Sequence, residues 1–262
     1  MSRSTTLKFL FVGLLAFGLI AYQIFKPEDP CNKPSSKYLF LIDRTDFLGP
    51  KTQDGIKNAL NKLIEEAEPG TLIKLTYVTG DERSDETVSA CRPRMLTRTT
   101  TIHTKKGEVQ DRWDEFQKKI DTKLNEKQSP SPSSPIYETV LNEARTEFQA
   151  FSGKKLIAVF SDYRQHTSKV SLHHRCGDID MEFNRLVDSL PLERTKLQGK
   201  AQQLAPLSAA EIHPYFIPRD DMNREFMSCV TAIAERFFNK TADGKSTLNE
   251  MKWLAQSGAV SK

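Results

Sequence analysis

Three short polar clusters carry the chemistry this sequence could do. Asp43-Arg44-Thr45-Asp46 and Ser161-Asp162-Tyr163-Arg164 each follow an apolar run, and Ser133-Ser134-Pro135 precedes a helical pattern. If the two apolar runs are parallel strands, all three clusters fall at one rim of a sheet. Carboxylates and hydroxyls on one rim are hard oxygen ligands, which suit Mg²⁺, Mn²⁺ or Ca²⁺. Asp43, Thr45, Ser134 and Asp162 are the candidate metal ligands. The same residue types also cap helices and form turns. Ser134-Pro135 has the form of an N-cap followed by proline at the first helical position.

The elements that must position these residues alternate between strand and helix. Residues 38–42 (YLFLI), 72–78 and 156–160 (LIAVF) read as buried strands. Residues 51–68 place Ile56, Leu60, Leu63, Ile64 and Ala67 on one helical stripe, which Pro69-Gly70 stops. Val109, Trp113, Phe116, Ile120 and Leu124 mark a second helix, and residues 136–151 a third. Residues 179–190 and 197–204 also read as helices. Residues 212–217 form a strand that Pro214 makes peripheral. Phe226, Val230, Ile233 and Phe237 mark a further helix, and residues 248–254 a short last one. Residues 80–98 read as charged turns, with a Thr-rich strand over 95–103. This order predicts a three-layer, doubly wound α/β fold with a mostly parallel sheet.

One transmembrane helix is expected ahead of the domain. Residues 9–25 read FLFVGLLAFGLIAYQIF, with Gln23 the one polar residue. That length is at the short end of what crosses a hydrocarbon core. Arg3 and Lys8 precede it, and Glu28 and Asp29 follow. The positive-inside rule then places residues 1–8 in the cytoplasm and the chain beyond Lys26 on the far side. Ala16-Phe17-Gly18 is embedded in apolar residues, so an uncleaved signal anchor is favoured over a cleaved signal. The expected organisation is a cytoplasmic N-terminus (1–8), an anchor (9–25), a tether (26–37), the α/β domain (38–240) and a helical tail (241–262). A bacterial inner-membrane protein with a periplasmic domain fits this pattern.

Cys31, Cys91, Cys176 and Cys229 are dispersed. An even set in an exported domain predicts two disulfides, and three connectivities are open. If the loops around Cys91 and Cys176 crowd one rim, Cys91–Cys176 forms one bridge and Cys31–Cys229 the other.

Composition narrows the class. Hydrophobic residues at 38% and charged residues at 27% describe an ordinary folded chain. A mean hydropathy of −0.51 excludes a multi-span membrane protein. The net charge is +4, and Arg3 and Lys8 carry part of it, so no nucleic-acid footprint is expected. Arg92, Arg94, Arg98, Lys105 and Lys106 form a basic stretch, but no aromatic interleaves them, and Asp81, Glu82, Asp85 and Glu86 precede them. His166, His173, His174 and Cys176 have no recognised metal spacing. The chain contains no P-loop, HExxH or GxSxG pattern.

The segments LFLIDRTD, SPIYETV and KKLIAVFSD occur in an order that resembles von Willebrand factor A-like domains. In that family they build a metal-ion-dependent adhesion site. Asp43 and Thr45 match the first and third positions of its DxSxS motif. Phe47 stands at the fifth and cannot ligate, so the site is degenerate. Ser134 takes the place of the second motif's Thr. Asp162 takes that of the third motif's Asp, with Tyr163 where Gly is usual. The resemblance implies a non-enzymatic module that binds another protein, here tethered to a membrane as part of a cell-envelope assembly. Where such a site is intact, its cation completes its coordination with a partner's carboxylate. An alternative also stands: a strand followed by DxT resembles haloacid-dehalogenase-type phosphohydrolases. Asp43 would then be the nucleophile, with Asp220-Asp221 supplying later metal carboxylates. Thr45 stands where those enzymes usually carry a second acid.

Overall fold

The computed structural model describes residues 33–80, 86–93, 106–126, 130–172, 176–190, 207, 209–241 and 247–254. At its centre lies β1 (Ser36–Asp43), buried at every position but Lys37. A strand buried on both faces needs apolar residues on both, and YLFLI supplies them. Tyr38, Phe40 and Ile42 enter one core layer, and Leu39 and Leu41 enter the other.

Flanking β1 are β2 (Thr71–Val78) and β4 (Lys154–Ser161), both parallel to it. β5 (Ala210–Phe216) is parallel to β4 on its far side. Parallel neighbours require crossovers, and helices supply them. α1 (Pro50–Glu66) joins β1 to β2, and its Ile56, Leu60, Leu63 and Ile64 stripe is buried. α2 (Lys106–Asn125) packs beside it through Trp113, Phe116, Ile120 and Leu124. α3 (Ile136–Phe148), α4 (Ile179–Ser189) and α5 (Arg224–Thr241) cover the opposite face. The result is three layers around a mostly parallel sheet, as the alternation of patterns predicts.

The sheet edges depart from the sequence expectation. β3 (Glu86–Cys91) pairs antiparallel with β2, inside a segment read as turns. Among its described side chains, Val88 and Ala90 pack on the core while Thr87 and Ser89 are exposed, so its period-2 signal is faint. The helix expected over 248–254 is instead two short strands, β6 (Thr247–Leu248) and β7 (Lys252–Trp253), each parallel to β5. With few apolar residues and no stripe, this stretch gains more from completing the β5 ladder than from an isolated helical turn. β5 is therefore covered on its outer side. Pro214, which cannot donate to a ladder, falls between the residues paired with β6 and those paired with β7.

The expected helix over 197–204 and the strand over 95–103 lie outside the described residues, as does the apolar segment 9–25. Among the described residues, no helix is long and apolar enough to cross a membrane. One disulfide joins Cys176 to Cys229, with Cα atoms 5.9 Å apart. This overturns the expected Cys91–Cys176 pairing, because α5 rather than β3 lies beside the segment that leads into α4. Cys91 is also disulfide-bonded.

Candidate functional site

All four expected ligand residues gather where the parallel strands end. Asp43 is the last residue of β1, Thr45 follows in the next loop, Ser134 precedes α3, and Asp162 follows β4. Asp43 has no exposed surface. Its Oδ1 accepts from the Thr45 amide at 3.1 Å and from Thr45 Oγ1 at 2.7 Å. Its Oδ2 accepts from Ser161 Oγ at 2.7 Å and from Ser134 Oγ at 3.3 Å. Burial pushes the Asp43 carboxyl above the ordinary aspartate value, and the charge of Asp162 pushes the same way. Arg219, Thr45 and Ser161 oppose them without cancelling them.

Ser134 is not the helix cap its sequence context suggested. α3 begins after Pro135, no side chain of that residue caps it, and Ser134 turns to Asp43 instead. The amide of Tyr137 is met by Gln165 Oε1 at 3.2 Å, a fully buried residue that sequence reasoning passed over. An antiparallel bridge between Ser134 and His166 fixes the loop, with N···O distances of 2.7 and 3.0 Å. Gly80 (φ +81°) allows the close approach of this loop, since a Cβ there would lie 2.0 Å from Ser133 O.

Asp162 is held by two arginines that sequence reasoning also missed. Its Oδ1 accepts from the Arg164 amide at 3.0 Å, and its Oδ2 from Arg164 Nε at 3.1 Å. The same Oδ2 accepts from Arg219 Nε at 2.9 Å. Arg164 then spans outward, with Nη1 to Asp221 at 2.7 Å and Nη2 to Asp46 at 2.8 Å. Arg219 Nη1 donates to the Phe47 carbonyl at 2.7 Å. Burial opposes the charge on Arg164, but Asp162, Asp221 and Asp46 outweigh it and hold the guanidinium above its ordinary range.

Tyr163 stands in the left-handed region at φ 57°, the conformation glycine tolerates best. Its amide donates to Ser161 Oγ at 2.8 Å and its hydroxyl to Val159 O at 2.9 Å. Phe47 has a different fate. With 61% of its surface exposed, its ring projects into solvent at the rim.

These observations test the cation. A divalent ion needs free carboxylate oxygens and a net negative surround. Asp162 already meets two guanidiniums and an amide, and Asp43 already meets four donors. The guanidiniums of Arg164 and Arg219 face four carboxylates, those of Asp43, Asp46, Asp162 and Asp221. Both oxygens of Asp162 are engaged by the two arginines and an amide, an arrangement that does not suit a dication on that carboxylate. Among the described residues, no three His, Cys, Asp or Glu side chains converge on a metal position.

Two other sequence features resolve. Arg92 does not stand free in a basic patch. Its Nη1 donates to the carbonyls of Ile64, Glu65 and Ala67 at the C-terminus of α1, where the last carbonyls lack the usual helical donors and Ile64 O also takes the Ala67 amide at 3.3 Å. Cys176 is bridged to Cys229, which removes it from any zinc set with His166. Arg94, Arg98, Lys105, His173 and His174 lie outside the described residues.

No family model and no curated protein matches this sequence. Solved structures similar to it include the conserved hypothetical protein BatB from Bacteroides thetaiotaomicron, at 11% identity and a TM-score of 0.37, over 83% of this chain and 91% of that one. The pilus adhesin SpaC from Lactobacillus rhamnosus GG gives 10% identity and a TM-score of 0.45, over 84% of this chain and 28% of that one. A von Willebrand factor type A protein from Catenulispora acidiphila gives 14% identity and a TM-score of 0.38, over 81% of this chain and 43% of that one. Similarities this low carry no argument of their own. By its own strand order and helix placement, the chain is a mixed α/β domain with a mostly parallel sheet, an architecture consistent with a von Willebrand factor A-like fold.

Proposed function

We propose that this chain is a membrane-tethered protein-interaction module of the von Willebrand factor A type, belonging to a cell-envelope assembly. The single observation that carries the reading is Phe47. An exposed aromatic ring stands at the strand-end rim, on a backbone that Arg219 fixes through the Phe47 carbonyl. Rigid aromatic side chains are what partner proteins bury most profitably. The partner is another protein.

Localisation follows from two supports. The apolar segment 9–25, with its preceding Arg3 and Lys8, reads as an inner-membrane anchor. The Cys176–Cys229 bridge suits an oxidising compartment such as the periplasm. No observation favours the phosphohydrolase. A nucleophile must reach phosphorus, and Asp43 has no exposed surface.

A photoreactive phenylalanine analogue at position 47 tests the reading in living cells. A crosslinked adduct of one defined mass supports it, provided the same analogue at exposed Lys62 gives none. No adduct at position 47, with the protein present at normal abundance, refutes the rim as the contact surface.

A further inference from the structure

We propose that Arg164 and Arg219 do at this rim what a divalent cation would do, so that the rim is assembled without metal. The inference stands apart from the partner reading, because it concerns how the loops are held and not what they bind.

A cation at the ends of parallel strands does two things. It neutralises the carboxylates gathered there, and it ties together the loops that carry them. Here side chains of the chain itself tie the loops, and they offset part of the charge of Asp43, Asp46, Asp162 and Asp221. The Arg164 guanidinium touches Asp46 in the loop after β1, Asp162 after β4 and Asp221 after β5. Arg219, from the loop after β5, touches Asp162 and the backbone of Phe47. Three loops are thus cross-linked by two planar cations, each using several donors of its fork.

The remaining oxygen groups are arranged to match. The hydroxyls of Thr45, Ser134 and Ser161 all donate to Asp43. Phe47, where the motif carries a hydroxyl, is exposed. Both arginine side chains are nearly buried, at 5% and 9% exposure, so they are built into the rim and not drawn onto it from solvent. A guanidinium cannot be removed by a chelator or deprotonated near neutral pH.

The experiment uses the purified full chain. Mn²⁺ titration followed by electron paramagnetic resonance should show no site tighter than millimolar. The melting temperature should be the same in EDTA as in millimolar Mg²⁺. Arg164→Gln and Arg219→Gln should each lower the melting temperature by the same amount in either buffer, and Arg164→Lys should recover part of the loss. One tightly bound Mn²⁺ that disappears in Asp162→Asn would overturn the proposal. So would arginine variants that melt like the wild type. If the glutamine variants fail to fold, the Mn²⁺ titration of the wild type decides the question alone.

Discussion

Arg219 lies 57 residues after Asp162 in the chain, yet its Nε sits 2.9 Å from Asp162 Oδ2, the oxygen that also takes Arg164 Nε at 3.1 Å. Removing Asp162 leaves two buried guanidiniums without their shared acceptor, and removing either arginine takes positive charge from a rim that carries four carboxylates. Losing one partner of a buried ion pair costs about 3–5 kcal/mol. Arg219→Ala should therefore lower the melting temperature by about 6–20 °C, at ~2–4 °C per kcal/mol for a domain of this size. Asp162→Asn should cost a similar amount. The double variant should cost clearly less than the sum, which urea unfolding of all four proteins would show.

Tyr163 offers a second measurement. Its left-handed backbone at φ 57° costs about 1–2 kcal/mol relative to glycine. Its ring, however, packs on Tyr137, Phe216 and Phe238. Truncating a large buried aromatic costs about 3–5 kcal/mol. Tyr163→Gly should therefore destabilise by a net ~1–4 kcal/mol, the cavity outweighing the relieved strain. Tyr163→Phe removes the hydroxyl and its hydrogen bond to Val159 O, for a loss of about 1 kcal/mol in denaturant titration.

The pH dependence of stability should contain two opposed contributions. Asp43 has its carboxyl raised above 3.8 in the fold, so the folded state holds that proton more tightly than the unfolded chain. Its contribution is most favourable at acid pH and is lost as pH rises from 3.8 through the raised value. His213 behaves in the opposite sense. Burial lowers it below 6.5, against the pull of Glu211 at 2.8 Å. Its contribution is complete above pH 6.5 and is lost as pH falls through the lowered value. Asp43→Asn should flatten the first slope and His213→Gln the second, as read from urea midpoints across the acid range.

Arg92 closes the C-terminus of α1, where the last carbonyls lack the usual helical donors. Charged hydrogen bonds of this kind are worth about 1.5–3 kcal/mol when buried. Arg92 is only half-buried, so Arg92→Ala should cost about 1–2 kcal/mol. Hydrogen exchange should locate the change in the last turn of α1. Nucleic-acid affinity should be absent in both proteins.

The Cys176–Cys229 bridge closes a long loop, with 53 residues of sequence separation. Replacing both cysteines by serine should cost about 3–4 kcal/mol. Peptide mapping without reductant should recover the two half-cystines in one linked pair.

Much of this architecture was legible because its signals are local. β1 and β4 announce themselves as continuous apolar runs, and α1 as a regular stripe. β3 was not legible, because an edge strand that packs Val88 and Ala90 on the core and exposes Thr87 and Ser89 looks like polar turn sequence. The short strands β6 and β7 exist only because β5 offers them a ladder. At the rim, Asp43, Thr45, Ser134 and Asp162 were placed correctly together by motif order. What they do was less legible. Asp162's partners are Arg164, which reads as an ordinary loop residue, and Arg219, which only tertiary structure brings near. The one warning in the sequence was Phe47, an apolar residue where a ligating hydroxyl belongs.

The outer side of β5 has a consequence for how copies of this domain meet. An open strand is a template for pairing with a neighbour. Here β6 and β7 occupy Glu211–Ile212 and Tyr215–Phe216, and the gap between them holds Pro214, which has no N–H to offer. A second copy arriving along this flank finds neither a long run of unpaired groups nor a flat surface. Copies of the domain are therefore discouraged from growing into fibres along this edge even at high concentration.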